Sequence, residues 1–283
     1  MEIVPLLKET VANFTRHKGQ WMAAAIAYFT MLAIAPLIIV VVEIAGAFLG
    51  QHRAILDELY RYLAQSAGPS AEIGVRSIVT STFNQHNAGV LAQIISWSIF
   101  VLAAIGLFTA LQSALNTVWD VEIKTQPILE AIRTRAVALV VVIFIALLLM
   151  VLLGVDAVLN TSSFFSAVSK IGQFVVSFIL TAVAFAVLFT FLPETQVERR
   201  SAWLGAAVTA LLFVAGQFVL GWYLGRAALS STYGAFGGLV AFLIWVNYSA
   251  QIVLLGAEFT HVLATRASDA SARRRPRLPD RQP

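Results

Sequence analysis

The sequence predicts an all-α integral membrane protein: a six-helix transmembrane bundle with amphipathic extracytoplasmic helices in its first loop. Three observations predict it. Of 283 residues, 59% are hydrophobic and only 12% are charged, about half the ~25% charge that a water-soluble domain carries. Six uncharged runs, 19–42, 77–119, 136–155, 171–193, 201–225 and 227–257, each hold 20 residues or more. About 20 residues at ~1.5 Å each cross a hydrocarbon core of ~30 Å. Lys and Arg also divide unevenly, 14 against 5, between alternate sides of six spans. The richer side holds both termini and is therefore cytoplasmic, as expected of a multi-pass membrane protein. The same figures exclude a soluble enzyme and a disordered chain. With no cysteine, disulfides, thiolate nucleophiles and Cys-ligated metals are excluded too. The net charge of +4 follows from topology and needs no nucleic-acid partner.

The chain divides into a cytoplasmic interfacial helix (1–18), a membrane domain (19–265) and a disordered basic tail (266–283). In the first part Ile3, Leu7, Val11 and Phe14 repeat at helical spacing, with Lys8, Glu9, Asn13 and Arg16 on other faces. An apolar stripe of this kind lies in the bilayer interface. The first span covers about 20–48. A cleaved signal sequence would need a shorter apolar stretch and a nearby cleavage site, whereas this run stays apolar through Val42. Pro36 removes one backbone hydrogen bond in mid-span and predicts a kink over 32–36.

The first loop, 50–87, carries two amphipathic sets. Ile55, Leu56, Leu59 and Leu63 stand among Arg53, Asp57, Glu58 and Arg61, and after a Gly68-Pro69 break come Ile73, Ile78, Val79 and Phe83. Two helices are expected, serving either as a lid packed on the bundle or as a docking surface for an extracytoplasmic partner. The second span, 88–118, begins after the polar stretch 80–87. Thr125 can cap a helix with Pro127 in its first turn, and this helix runs from the cytoplasm into the third span, 134–155. The fourth, fifth and sixth spans cover 171–192, 201–224 and 235–262, with Glu43 and Asp156 as boundary residues. In the tail Arg273, Arg274, Arg275 and Arg277 either contact anionic lipid headgroups at ~1 kcal/mol each or act only as a topology signal. No convincing internal repeat is present.

Polar residues inside the spans mark a candidate site. Asn247, Gln251 and Glu258 share one face of the sixth span, and Gln112 and Asn116 share a face with Thr109 in the second. An ionisable group in the membrane costs ~2.5 kcal/mol or more, so Glu258 faces the bundle interior or lies shallow enough to reach water. Two readings are open. In one, the five residues form a polar crevice for a headgroup. In the other, the amides bridge helices while Glu258 sits at the cytoplasmic boundary, paired with Arg266 or an Arg of the second loop. For helix packing, Gly221-x-x-x-Gly225 and Gly237-x-x-x-Ala241 allow close approach. Catalytic chemistry finds little support: His17, His52, His86 and His261 are isolated in sequence, and G-x-S-x-G and P-loop motifs are absent.

The stretches Ala25-Ile-Ala-Tyr28-Phe29-Thr30 to Ala35-Pro36-Leu37, Ala114-Leu-Asn116-Thr-Val-Trp119, Tyr233-Gly234-Ala-Phe-Gly237, Trp245, Tyr248-Ser-Ala-Gln251 and Leu255-Gly256-Ala-Glu258-Phe259 resemble the YihY/BrkB family of bacterial inner-membrane proteins over about residues 23–264. The resemblance implies six spans with cytoplasmic termini. It places Tyr28, Pro36, Asn116, Tyr233, Gly234, Gln251, Gly256 and Glu258 at family-motif positions, without roles. It further implies a part in envelope integrity and in transport of a lipid or lipopolysaccharide precursor. The family has long carried the name ribonuclease BN, yet the enzyme that deserves it resembles a metallo-β-lactamase with a His-x-His-x-Asp-His motif that this chain lacks.

The function expected is a transporter-like membrane protein, not an enzyme, that handles a lipid or other amphipathic envelope substrate. The alternative is a scaffold that anchors an extracytoplasmic partner through the 50–87 loop. Expected partners are membrane lipids, with such a protein and a second copy of the chain as further candidates. No cofactor, metal or nucleic acid is implied.

Overall fold

A computed structural model describes residues 3–49, 52–84, 90–121, 168–195, 197–226 and 229–274. The expected third span and the Arg275 and Arg277 positions lie outside these residues. All regular structure among the described residues is helical: α1 (Ile3–Arg16), α2 (Gly19–Leu49), α3 (His52–Ser66), α4 (Pro69–Asn84), α5 (Val90–Val118), α6 (Val168–Phe191), α7 (Arg199–Arg226) and α8 (Leu229–Arg274). Two stretches among them are long and apolar enough to cross a membrane, Val101–Val118 of α5 and Phe236–Ser268 of α8, with mean hydropathies of 1.6 and 1.8.

Local chemistry sets the helix ends. At the α1–α2 corner Lys18 takes a left-handed φ of 57°, and its amide bonds the Thr15 carbonyl at 3.1 Å. Its own carbonyl then accepts from Trp21 and Met22 to start α2. The corner is therefore tight, and His17 sits on it. Helix α5 ends in a Schellman turn: the Val121 amide reaches the Asn116 carbonyl at 2.9 Å and the Asp120 amide reaches Thr117 at 3.2 Å. Asp120 holds the left-handed position, φ 48°, which a short polar side chain tolerates better than most. Between α3 and α4, Gly68 at φ 85° makes the left-handed step and Pro69 opens the next helix, as its fixed φ favours. Helix α6 stops before Pro193, as the restriction on the preceding residue requires.

Helix α8 is the centre of the assembly, in contact with α1, α2, α4, α5 and α7. Two apolar clusters lie along it. One gathers Phe14, Ile26, Leu115, Phe189, Ala206 and Leu254. The other gathers Ala27, Leu63, Val75, Val79, Ala241 and Phe242. Lipid is as apolar as a side chain, so hydrophobicity alone does not hold such helices together and close packing must. Helices α7 and α8 achieve it reciprocally. A Cβ on Gly205 would lie 1.7 Å from Thr260 Oγ1, and one on Gly256 would lie 1.9 Å from Thr209 Oγ1. Each threonine hydroxyl donates at 2.7 Å to the carbonyl of the glycine four residues before it. The sequence pointed instead to Gly221-x-x-x-Gly225, whose surroundings fall outside the described side chains. Gly238, beside the expected Gly237, crosses Gly74 of α4 backbone to backbone.

Two expectations, the buried face of α4 and the start of the tail, need correction. The buried face of α4 is Ala71, Val75 and Val79, while Ile73 is 50% exposed, because only small residues admit the Gly74–Gly238 crossing. In α1, Leu6, Thr10 and Phe14 are buried where α1 packs against α8, and Leu7 and Val11 of the expected interfacial stripe are exposed. Helix α2 includes Pro36. Finally, α8 continues to Arg274, past the expected start of a disordered tail at 266. The residues there, Ala264, Ala267, Ala270 and Ala272 among them, are strong helix formers, and the first breaker is Pro276.

Candidate functional site

Among the described residues, a buried polar cluster lies where the α1–α2 corner and the end of α5 meet α8. Glu258 is held by α8 with its side chain wholly buried, and its Oε1 is 2.7 Å from Nδ1 of His17. The His17 side chain is 8% exposed. Its Nε2 lies 3.1 Å from Nη2 of Arg16 and 3.4 Å from Oδ1 of Asp120, whose side chain is 60% exposed. Arg16 and Asp120 also face each other at 3.8 Å. The three groups descend from water into the bundle in the order Asp120, His17, Glu258.

Other polar atoms surround this line. Glu258 Oε2, His261 Nδ1 and Trp119 Nε1 are buried with no hydrogen-bond partner among the described residues. The rings of Trp119 and His261 lie 5.0 Å apart. A buried carboxylate oxygen of this kind is costly unless a partner is supplied or the group is neutralised. Among the described residues no group of three or more His, Asp or Glu side chains could hold a metal ion.

The five residues expected to form one crevice make three sets of contacts. Gln112 Nε2 donates to Glu194 Oε1 at 3.3 Å, and Asn116 Oδ1 accepts the Glu194 backbone N–H at 2.9 Å. This pair ties the α6–α7 turn to the end of α5. Asn247 and Gln251 bond each other at 2.6 Å along α8. Glu258 joins His17. Both sequence readings are thus mixed: the amides on α5 do bridge elements, while Glu258 is deeply buried. Among the described residues Glu258 pairs with His17 and not with Arg266, which holds Glu9 of α1 with Nη2 at 2.5 Å; the second-loop arginines lie outside the described residues. Nor are His17 and His261 isolated in space.

Of the family-motif positions, Gly256 belongs to the α7–α8 crossing, and Tyr28 is 58% exposed with its ring edge-on to Phe29 at 5.3 Å. Pro36 lies within α2, and Tyr233 and Gly234 within α8. Arg273 and Arg274 form the last turn of α8. Sequence reasoning missed Arg16, His17 and Asp120. The usable signal was that a buried Glu258 demands a donor, and the corner at Lys18 and the helix end at Asp120 supply the geometry.

The profile of a family described as "Virulence factor BrkB" matches residues 10–281. A UPF0761 membrane protein of Alkalilimnicola ehrlichii is 29% identical over 89% of this chain and 57% of its own length. The putative ribonuclease-like protein YfkH of Bacillus subtilis is 28% identical over 98% of each chain. A UPF0761 membrane protein of Aggregatibacter aphrophilus is 28% identical over 89% of each. The chain thus spans little more than half of the first relative and nearly all of the second. No solved structure matches.

Proposed function

We propose, from the premise that this chain belongs to the BrkB virulence-factor family of membrane proteins, that it crosses the bacterial inner membrane six times and handles a lipid or other amphipathic envelope substrate. The observation that carries the reading is Glu258, a carboxylate buried to 0% exposure with one oxygen held by His17 and the other without a partner among the described residues. Such an oxygen suits a headgroup bearing N–H or O–H donors, while acyl chains stay in lipid.

Two features support the topology. Trp203 and Trp222 are both exposed near opposite ends of α7, 19 positions apart, which is about 28 Å along a helix and close to the hydrocarbon thickness. Aromatic residues at both interfaces are the mark of a span. Leu204, Leu211, Leu212 and Val219 lie exposed between them. The segments that the charge count assigns to the cytoplasm also meet: Arg16 faces Asp120, Glu194 meets Asn116 and Arg266 meets Glu9. On this topology the basic end of α8 reaches past the membrane, where its arginines can hold anionic headgroups.

Ribonuclease activity has no support in these residues, and no nucleotide-binding motif is present to drive transport directly. The scaffold alternative needs α3 and α4 to offer a docking surface; Leu63, Val75 and Val79 pack into the cluster with Ala241 and Phe242, while Ile73 stays 50% exposed. The test is complementation of an envelope defect in a deletion strain. Glu258→Gln and Gln251→Leu should insert normally and fail to restore function, and full rescue by both would refute the crevice. Replacing 53–87 by a flexible linker would abolish capture of a protein partner only if the scaffold reading holds.

A further inference from the structure

The two ring nitrogens of His17 face different surroundings. Nδ1 meets the buried Glu258. Nε2 meets Arg16 and Asp120, side chains that are 61% and 60% exposed. A guanidinium can only donate hydrogen bonds. The Arg16 contact therefore makes Nε2 an acceptor and puts the single proton of a neutral imidazole on Nδ1, donating to Glu258. A proton arriving from water finds a lone pair at Nε2 and, beside it, the Asp120 carboxylate able to hold the new N–H.

Among the described residues, several other groups stand near this line. Helix α1 contributes Arg16, and its Glu9 is engaged by Arg266 of α8. Helix α5 contributes Asp120. Helix α8 itself contributes His261, whose ring lies against Trp119. The α7 residues packed against α8 near Glu258, Gly205 and Thr209, do not titrate. The α6–α7 turn presents Glu194, which is bonded to Gln112 and Asn116.

We propose that His17 is a proton port, carrying protons one at a time between the aqueous edge at Asp120 and the buried carboxylate of Glu258, so that the charge on Glu258 follows the pH at that edge. The step balances within the residues named. A proton from water adds to Nε2, the Nδ1–H bond breaks as an O–H bond forms on Glu258 Oε1, and the ring leaves neutral with its proton on the other nitrogen. The carboxylate has become a carboxylic acid. The reverse sequence returns the proton to the same edge. Loss of charge at Glu258 removes its hold on a donor-bearing headgroup, which couples protonation to release. The coupling rests on the transport reading; the port itself does not.

The experiment uses the full chain in vesicles of phosphatidylethanolamine and phosphatidylglycerol, with no added substrate. Infrared difference spectra after rapid pH jumps follow the C=O stretch of a protonated carboxylic acid across about pH 4 to 9, the range in which carboxyl and imidazole groups ordinarily titrate. A band that grows on acidification and is lost in Glu258→Gln is expected. His17→Gln keeps a donor near Glu258 but cannot shuttle a proton, and the rise should slow about a hundredfold. Asp120→Asn, which tolerates the same left-handed backbone, should slow it as well. A wild-type band that does not respond to pH overturns the port, and so does a rise as fast in His17→Gln as in wild type. A protein that retains an amphipath yet fails these tests refutes the port alone, whereas a working port in a protein that binds no amphipath refutes the transport reading alone.

Discussion

Gly205→Ala tests the packing that holds α8, and hence Glu258, in place. Taken by itself, glycine to alanine in a helix gains about 0.8–1 kcal/mol of helix propensity. The structure opposes that gain. The added methyl would sit 1.7 Å from Thr260 Oγ1, 2.7 Å from Thr260 Cβ and 3.1 Å from its Cγ2. Rotating the threonine clears the hydroxyl but gives up its 2.7 Å bond to the Gly256 carbonyl and leaves the two Cβ atoms too close. Carbon atoms pack at about 3.5–4.0 Å, so the helices must part by roughly 1 Å at this crossing. Overpacking of this kind costs about 1–3 kcal/mol, with a midpoint of about 2, which leaves Gly205→Ala destabilised by about 1 kcal/mol at that midpoint after the propensity gain. The assay is unfolding in mixed micelles by a denaturing detergent. Thr260→Gly, which moves the space to the other helix, should rescue it, with a coupling of about 1 kcal/mol in a double-mutant cycle. A Gly205→Ala protein as stable as wild type or more so, or the absence of coupling, would refute the interlock.

Other expectations follow from the same geometry. Gly238→Val places side-chain atoms on backbone that cannot yield, 2.2 Å from the Ser70 carbonyl oxygen; a loss of about 3 kcal/mol should appear in the same assay, and a neutral result would contradict the α4–α8 crossing. Asn116→Ala removes the acceptor for the Glu194 amide at a cost of about 1–3 kcal/mol, so limited proteolysis should nick 192–198 faster than in wild type. Burial raises the Tyr60 hydroxyl above its ordinary value against the opposing charge of Arg76, which lies 4.4 Å from the ring centroid. A group raised in the folded state contributes stability that is complete below its unfolded pKa and lost as pH rises through the folded one. Melting temperature should therefore fall above about pH 10, and less steeply in Tyr60→Phe.

Helices were legible in the sequence because apolar runs of membrane length and Gly-Pro breaks act locally. Which stripe of a helix packs was less legible, for a physical reason. In lipid both the protein-facing and the lipid-facing sides are apolar, so hydrophobicity does not tell Leu6 and Phe14, which pack, from Leu7 and Val11, which do not. Small residues carry that information instead, as Gly74 opposite Gly238 and Gly205 opposite Thr260 show. At the site, the burial of Glu258 could be read from the cost of placing a charge in the membrane. Its partner could not, because His17 stands 241 positions away and reaches it only through the left-handed corner at Lys18. The contacts made by the other crevice candidates were not legible either: Asn116 is engaged by the Glu194 amide and Asn247 by Gln251, through a turn and a rotamer that periodicity does not specify.

The central claim is that the buried carboxylate on α8 belongs to a site for an amphipathic substrate. Native mass spectrometry of the protein, released gently from its own membrane, tests it most directly. A defined lipid or other amphipath should remain on the wild-type chain and be lost from Glu258→Gln, with both proteins equally folded. Equal retention by the variant, or a wild-type chain that carries only a stoichiometric protein partner, would contradict the account.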